Sequence, residues 1–342
     1  MNITLPREQG FYFPAEYAPH SATWMGWPFD DDYWEGYLAK ARADFTRLIE
    51  AIARFEPVYL ACAHEEAENS AREALQGSAN IKFWRAPLDD IWFRDIAPLF
   101  LTNNEGKLVA SDWQFNGWGK KFRWEKDTHI PELIADKLGI SRVEVPIVME
   151  GGSLDINGEG ICLTTRQCLL NQNRNPNLSE NEVETYLKDY LGVKHVIWLH
   201  RGLEGDKTDG HIDTITRWVN DDTIITSICE DSSDPNYESL QENLTLLETM
   251  RHPDGGDYKI IELPLPQKRL ELEGERLPLT YANFYIGNGF VVMPTYEDEN
   301  DSRALGILQM AFPGRKLIGL PSLGIISGGG SFHCVTQQQP KL

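Results

Sequence analysis

The chain has 342 residues, 41% of them hydrophobic, enough to bury one large core or two modest ones. Its net charge of −20 repels nucleic acid and anionic lipid and draws small cations, so neither nucleic acid nor a membrane surface is an expected partner. No apolar run approaches the roughly 20 residues that cross a bilayer, and Met1 to Pro6 carries neither the basic patch nor the apolar stretch of a secretory leader, so a cytoplasmic location is expected.

Phe13 to His20 reads as extended and turn-rich, and Ser21 to Pro28 as a strand ended by its proline. Leu38, Ala41, Phe45, Leu48, Ile49 and Ile52 recur three and four apart, the mark of an amphipathic helix, and Val58 to Cys62 follows as an apolar strand. That helix-then-strand phrase repeats. Pro131 opens a short helix that Gly139 closes, before a strand at Val143 to Pro146. Ser179 and Glu182 form a capping box for a helix that Gly192 stops, before Val196 to Leu199. Leu240 to Met250 and Arg303 to Phe312 are helical, followed by strands at Tyr258 to Leu263 and Lys316 to Leu320.

Between the helices lie hairpins of alternating pattern. Leu99 to Asp112 turns at Asn103-Asn104-Glu105-Gly106, and Ser153 to Leu163 turns at Asn157-Gly158-Glu159-Gly160. Thr214 to Ile228 turns at Asn220-Asp221-Asp222, and Asn283 to Met293 at Gly287-Asn288-Gly289. A fifth pairing would join the first strand, near Trp24, to the last, near Val335. Five related units without a long Gly/Ser linker suggest one domain over residues 1–342, an α/β ring of five blades closed by both termini. Two ordinary α/β domains are the alternative.

Candidate chemistry falls at repeated positions of these units. Asp89 to Asp95 precedes one hairpin, Glu150-Gly151-Gly152 the next, and Asp209-Gly210-His211-Ile212-Asp213 the third. The chain ends on Ser327-Gly328-Gly329-Gly330-Ser331-Phe332-His333-Cys334, eight residues before its last. Glycines let backbone approach a ligand, and a cysteine just after them can be aimed at a pocket as a nucleophile. The same cysteine would equally suit a buried core position. The five cysteines (Cys62, Cys162, Cys168, Cys229, Cys334) are scattered and odd in number, which argues against a disulfide framework or structural zinc. His211 and Asp213, two apart, would share one face of a strand, fitting a general acid/base beside a binding carboxylate. They would also fit a metal pair, but a third His or Cys at matching spacing is missing nearby. The triple glycine lacks the lysine and following helix of a phosphate loop.

Set together, Asp90-x-Trp92-x-Arg94-Asp95, Glu150-Gly151-Gly152, Gly210-His211-x-Asp213 and Gly328-Gly329-Gly330-x-x-His333-Cys334-x-Thr336-Gln337-Gln338 resemble the agmatine deiminase and bacterial-type peptidyl-arginine deiminase family. Phe13 to Glu16, Trp24 to Pro28, Phe115 to Lys120 and Asn283 to Tyr285 fit it too, so the resemblance runs in order through nearly the whole chain. It implies the pentein fold, a five-bladed αβ propeller with pseudo-fivefold symmetry.

A guanidinium is planar and cationic with a pKa above ~12, so water barely attacks it. Two carboxylates can grip its N–H edges and expose the central carbon; these are assigned to Asp95 and Asp213, as the resemblance also implies. Cys334 is the expected nucleophile and His211 the acid/base that protonates departing ammonia, then activates water. Glu150 is expected to orient His211, and Trp92 to wall the substrate. No metal or organic cofactor is required. One departure stands out: where the family usually carries an acidic residue, this chain has Lys207, and Asp209 stands where asparagine is common. The leading expectation is hydrolysis of agmatine to N-carbamoylputrescine and ammonia. Deimination of peptidyl C-terminal or free arginine, or of another monosubstituted guanidine, is the alternative. An amidinotransferase sharing the intermediate and a polyamine-binding module with a dead site are the outside readings. The expected partner is a small cationic guanidino substrate, with a homodimer left open.

Overall fold

One residue type decides where most of the strands turn. Asn103 Oδ1 accepts the backbone N–H groups of Glu105 and Lys107, both at 3.1 Å. Asn157 Oδ1 does the same for Glu159 and Ile161 at 3.0 Å. Asn220 Oδ1 takes those of Asp222 and Thr223 at 3.1 and 2.9 Å. Each side chain thus satisfies donors that the tight turn leaves unpaired and so sets the hairpin register.

The computed structural model describes residues 5–34 and 36–342, and five sheets in it repeat one plan. An antiparallel pair is followed by a helix that returns the chain to a third, parallel strand, as a parallel pairing requires. Leu99–Thr102, Leu108–Gln114 and Ser141–Val148 form the first such sheet, with helix Ile130–Leu138 as the return. Asp155–Ile156, Ile161–Thr165 and His195–Leu199 follow around helix Glu180–Leu191. Thr216–Trp218, Thr223–Ile228 and Lys259–Pro264 use helix Asn236–Thr249. Tyr285–Gly287, Phe290–Thr295 and Lys316–Pro321 use helix Asp301–Ala311. In the last, Gln337–Pro340 pairs antiparallel with His20–Gly26, and Trp24 sits opposite Gln337. Helix Leu38–Ala53 then leads to Val58–Cys62. The expected joining of first and last strands is therefore present, two residues beyond Val335.

The helix ends obey the chemistry read from the sequence. Ser179 accepts from Glu182 N–H while Glu182 reaches back, and Gly192 and Gly139 close their helices in the left-handed conformation, φ 70° and 65°. Helix Leu38–Ala53 lays Phe45, Leu48, Ile49 and Ile52 against the sheet, each fully buried. Burying each such side chain is worth about 1.5–3 kcal/mol. The sequence did not anticipate helix Glu65–Ala74, the parallel edge strand Ile81–Arg85, or shorter pieces such as the hairpin Glu271–Leu272/Glu275–Arg276. Helix Asn236–Thr249 also begins four residues before the predicted Leu240. Among the described residues, no helix is long and apolar enough to cross a membrane.

The chemistry-bearing motifs share a place in this plan. Phe93–Ile96, Gly151–Ser153 and Ile212–Thr214 are single tight turns, each just ahead of its sheet's first strand. Cys334 lies in the turn that precedes Gln337–Pro340.

Candidate active site

His211-Ile212-Asp213 is not the strand its alternation suggested. Ile212–Thr214 is a turn of 3-10 helix with His211 as its N-terminal flank. His211 is the extended flank of that turn, at φ −55° and ψ 141°, and both side chains still reach one pocket, where they come within 2.6 and 3.1 Å of an added Gly152 Cβ. Each is fully buried.

The pocket closes around the thiol. Cys334 Sγ accepts from Asn283 Nδ2 at 3.1 Å and lies 3.6 Å from Asp213 Oδ2. Asn283 Oδ1 also receives the backbone N–H of Cys334 at 3.3 Å, so one amide fixes both backbone and sulfur. The Cys334 carbonyl in turn accepts from Arg94 N–H at 3.1 Å, tying the nucleophile's turn to the turn that carries Asp95. Asp95 Oδ1 accepts from Gly152 N–H and Oδ2 from Trp118 Nε1, both at 2.8 Å. Trp118 occupies the left-handed region at φ 54°, a conformation costing roughly 1–2 kcal/mol. The indole hydrogen bond and edge-on packing against Phe115 and Phe122 hold it there.

The glycine pair before Ser153 is there for closeness. A Cβ on Gly151 would lie 2.1 Å from the Arg94 carbonyl. One on Gly152 would fall between His211 Nδ1 at 2.6 Å, Asp95 Oδ1 at 3.0 Å and Asp213 Oδ2 at 3.1 Å. The pocket wall is therefore backbone where the two acids and the base converge. His211 Nδ1 is 3.9 Å from Asp95 Oδ2, and Nε2 is 3.9 Å from Glu150 Oε2, beyond hydrogen-bond length. Neither imidazole nitrogen has a hydrogen-bond partner among the described residues.

Electrostatics set the resting state. Burial pushes the Cys334 thiol well above its ordinary pKa, and the Asp213 and Asp95 charges add to it. Burial also opposes charge on His211, yet Asp95, Cys168 and Glu150 outweigh it and push the imidazole well up. For Asp95 burial dominates and moves it up to about 6 against the pull of His211. Asp213 goes the other way: burial opposes its charge, but His333, His211 and Arg217 hold it below the usual range. Glu150 is likewise held down against its burial, chiefly by Arg174, whose Nε is 2.6 Å from Oε1. At neutral pH the site thus holds a protonated thiol, an imidazolium and carboxylates.

Trp92 lines the same slot, with Nε1 donating to Tyr33 Oη at 3.1 Å. A Cβ on Gly330 would lie 2.7 Å from the Trp92 ring and 3.1 Å from Cys334 Sγ, so the terminal glycines let indole and sulfur meet. The slot encloses about 30 Å³ and opens past Tyr33, Phe122 and Lys207 into a cavity of about 620 Å³. At that mouth Lys207 Nζ pairs with Glu275 Oε2 at 2.8 Å. Asp209 sits at φ 66°, a conformation asparagine and aspartate tolerate. Its carboxylate binds Lys121 at 2.6 Å and Arg174 at 2.7 Å, so the acid in place of asparagine is matched by two cations.

All six predicted site residues (Cys334, His211, Glu150, Asp95, Asp213 and Trp92) converge. Asp90 supports the slot through its lining: its carboxylate accepts Ile91 N–H at 2.8 Å and bonds to Tyr33 and Trp92, while burial outweighs those partners and pushes it up to about 7. Sequence reasoning missed Arg174 and Cys168. Cys168, Glu150 and His211 offer one donor atom each within 4.8 Å, the third soft ligand that spacing alone placed nowhere near. The Arg174 guanidinium on Glu150 works against a cation there. Trp118 and Asn283 lay inside quoted motifs but carried no role.

Sheet plan and pocket together define the class: an α/β enzyme whose reactive groups meet in a buried, acid-lined slot. A family model, the Porphyromonas-type peptidyl-arginine deiminase, matches residues 12–340. The chain is 42% identical to a putative agmatine deiminase of Legionella pneumophila, over 100% of this chain and 98% of that protein. It is 39% identical to the agmatine deiminase of Ectopseudomonas mendocina, over 98% and 97%. The solved agmatine deiminase of Enterococcus faecalis superposes with a TM-score of 0.94 at 32% identity, covering 100% and 99% of the two chains. The chain belongs to the Porphyromonas-type peptidyl-arginine deiminase family.

Proposed function

We propose that this protein hydrolyses the guanidinium group of agmatine to N-carbamoylputrescine and ammonia. The observation that carries the reading is the thiol of Cys334 beside Asp213 Oδ2 at 3.6 Å, with Asp95 and the His211 imidazole around the same point. Agmatine deiminases of near-identical length and fold support the choice of substrate.

The steps follow from the charges. A guanidinium held between Asp95 and Asp213 offsets the field that keeps the thiol protonated, and Cys334 releases its proton to solvent. The thiolate forms a C–S bond to the guanidinium carbon. The His211 imidazolium gives its proton to one nitrogen, and the C–N bond breaks to release ammonia, leaving a thiouronium on sulfur. Neutral His211 then takes a proton from water as its oxygen bonds to carbon. The C–S bond breaks, and the proton left on the carbamoyl oxygen returns to the thiolate. Glu150 keeps His211 in place, and Trp92 covers the flat group. Burying the cation while fixing it against the nucleophile supplies both electrostatic and orientational acceleration.

The mouth supports agmatine over arginine. An arginine α-carboxylate needs a free cation, whereas Lys207 is already paired with Glu275 and Lys121 with Asp209. We further propose that the five sheets are the blades of one propeller-like domain. The test is kcat/KM by ammonia release for agmatine, free arginine and a C-terminal arginyl peptide. Agmatine should be preferred by at least about tenfold, which is about 1.4 kcal/mol; preference for either arginyl compound overturns the substrate.

A further inference from the structure

His333 adjoins the nucleophile in sequence, yet none of the steps above uses it. Its ring is buried between two carboxylates. Nδ1 is 2.6 Å from Asp213 Oδ2, and Nε2 is 2.7 Å from Glu16 Oε2. An ionised carboxylate only accepts, so Nδ1 is the donor towards Asp213, which is held ionised. The far side of the bridge is anchored as well. Glu16 pairs with Arg217 through Oε2, Arg94 Nη2 stands 4.0 Å from the same oxygen, and Arg217 Nε holds Asp155 at 2.9 Å. The His333 backbone N–H donates to Asn283 Oδ1 at 3.1 Å, the atom that also holds Cys334 N–H.

What matters is the division of labour this leaves on Asp213. Its Oδ2 is taken by His333 and faces the sulfur, while Oδ1 is buried and without a hydrogen-bond partner among the described residues. A carboxylate turns easily about its last torsion, since that torsion is broad. Tying one oxygen commits the other to whatever enters the slot. We infer that His333 is a positioning residue, a donor braced by Glu16 that fixes the Asp213 carboxylate with Oδ1 presented to the substrate's guanidinium. The inference rests on the reading of the slot as a guanidinium site. It gives the Phe13-Pro14-Ala15-Glu16 segment a task as well, since Glu16 is the brace.

Two amides separate this role from simple packing. An asparagine at 333 places its N–H₂ near the Nδ1 position, towards Asp213, whereas the longer glutamine places it near Nε2, towards Glu16. Packing alone would favour glutamine, which fills the space better. Agmatine affinity is read by calorimetry in a Cys334→Ser background, where substrate cannot be consumed. His333→Ala and His333→Gln should each weaken binding about 10- to 100-fold, the range for losing a charged hydrogen bond. His333→Asn should stay within about threefold of its parent. Glutamine matching asparagine, or both binding as the parent does, overturns the inference. If the parent does not bind agmatine at all, the substrate reading fails instead. A crystal structure of His333→Gln then decides the inference: an Asp213 carboxylate turned from its present orientation upholds it, and an unmoved one overturns it.

Discussion

Gly152→Ala is the sharpest perturbation the pocket offers. The added carbon would stand 2.6 Å from His211 Nδ1, 3.0 Å from Asp95 Oδ1 and 3.1 Å from Asp213 Oδ2. Ordinary van der Waals contact begins at roughly 3.5 Å, so all three groups must give way. Neither acid swings freely: Asp95 is held by Gly152 N–H and Trp118, and Asp213 by His333, while His211 is confined by its complete burial. The φ of Gly152 lies outside the left-handed region, so alanine adds no backbone strain of its own and the effect is one of space. Overpacking of this kind costs about 1–3 kcal/mol of stability. Displacing a reacting group by about 1 Å costs about 100-fold in rate. Ammonia release should therefore show kcat/KM for agmatine lowered about 100-fold or more, while thermal melting shows a folded protein with Tm reduced by a few degrees. Activity within about threefold of wild type would refute the claim that the two acids and the base converge on this backbone.

Gly306→Ala is the opposite case: Gly306 is exposed inside helix Asp301–Ala311 with nothing near an added Cβ. It should gain about 0.5–1 kcal/mol, read as a raised Tm, at unchanged activity. Asp95, raised by burial to about 6, is a neutral acid below that pH and cannot hold the cation charge-to-charge. kcat/KM should fall as pH drops through about 6, and a profile flat down to pH ~5 would exclude Asp95 as the group titrating in that limb. The same shift carries a stability sign: the folded state holds this proton more tightly than the unfolded chain does. Its contribution is full below 3.8 and lost as pH rises through about 6, so urea unfolding should show that much stability falling across this window. Lys207→Glu breaks a solvent-exposed pair worth about 0–1 kcal/mol. The agmatine-to-arginine ratio of kcat/KM should move less than about tenfold; a larger swing would make Lys207 the reader of a carboxylate.

Sequence periodicity exposed what has a local cause. Helix Leu38–Ala53 announced itself by an apolar stripe, and the hairpins by asparagine and glycine at their turns. Helix Glu65–Ala74 did not, because only Ala67 and Ala71 are buried and the rest, apart from exposed Ala74, is charged or polar. Strand Ile81–Arg85 is a half-buried edge without clean alternation, so period gave no signal. The His-Ile-Asp alternation pointed to a strand, whereas His211 is the extended flank of a 3-10 turn that carries Asp213. In the site, groups that touch the reacting atoms were legible because their motifs are compact. Their supports were not, since they come from far along the chain: Glu16 meets Arg217 across 201 residues and His333 across 317. No local pattern ties Arg174 to Glu150 or Cys168 to His211, and only the fold brings them together.

The central claim is that Cys334 carries the substrate carbon through the reaction. Rapid acid quench during turnover of agmatine, followed by peptide mass spectrometry, reads it directly. The peptide ending the chain should carry the thiouronium adduct on Cys334, and Cys334→Ser should neither form it nor release ammonia. An adduct on Cys168, Cys162 or another cysteine, or full turnover by Cys334→Ser, would contradict it.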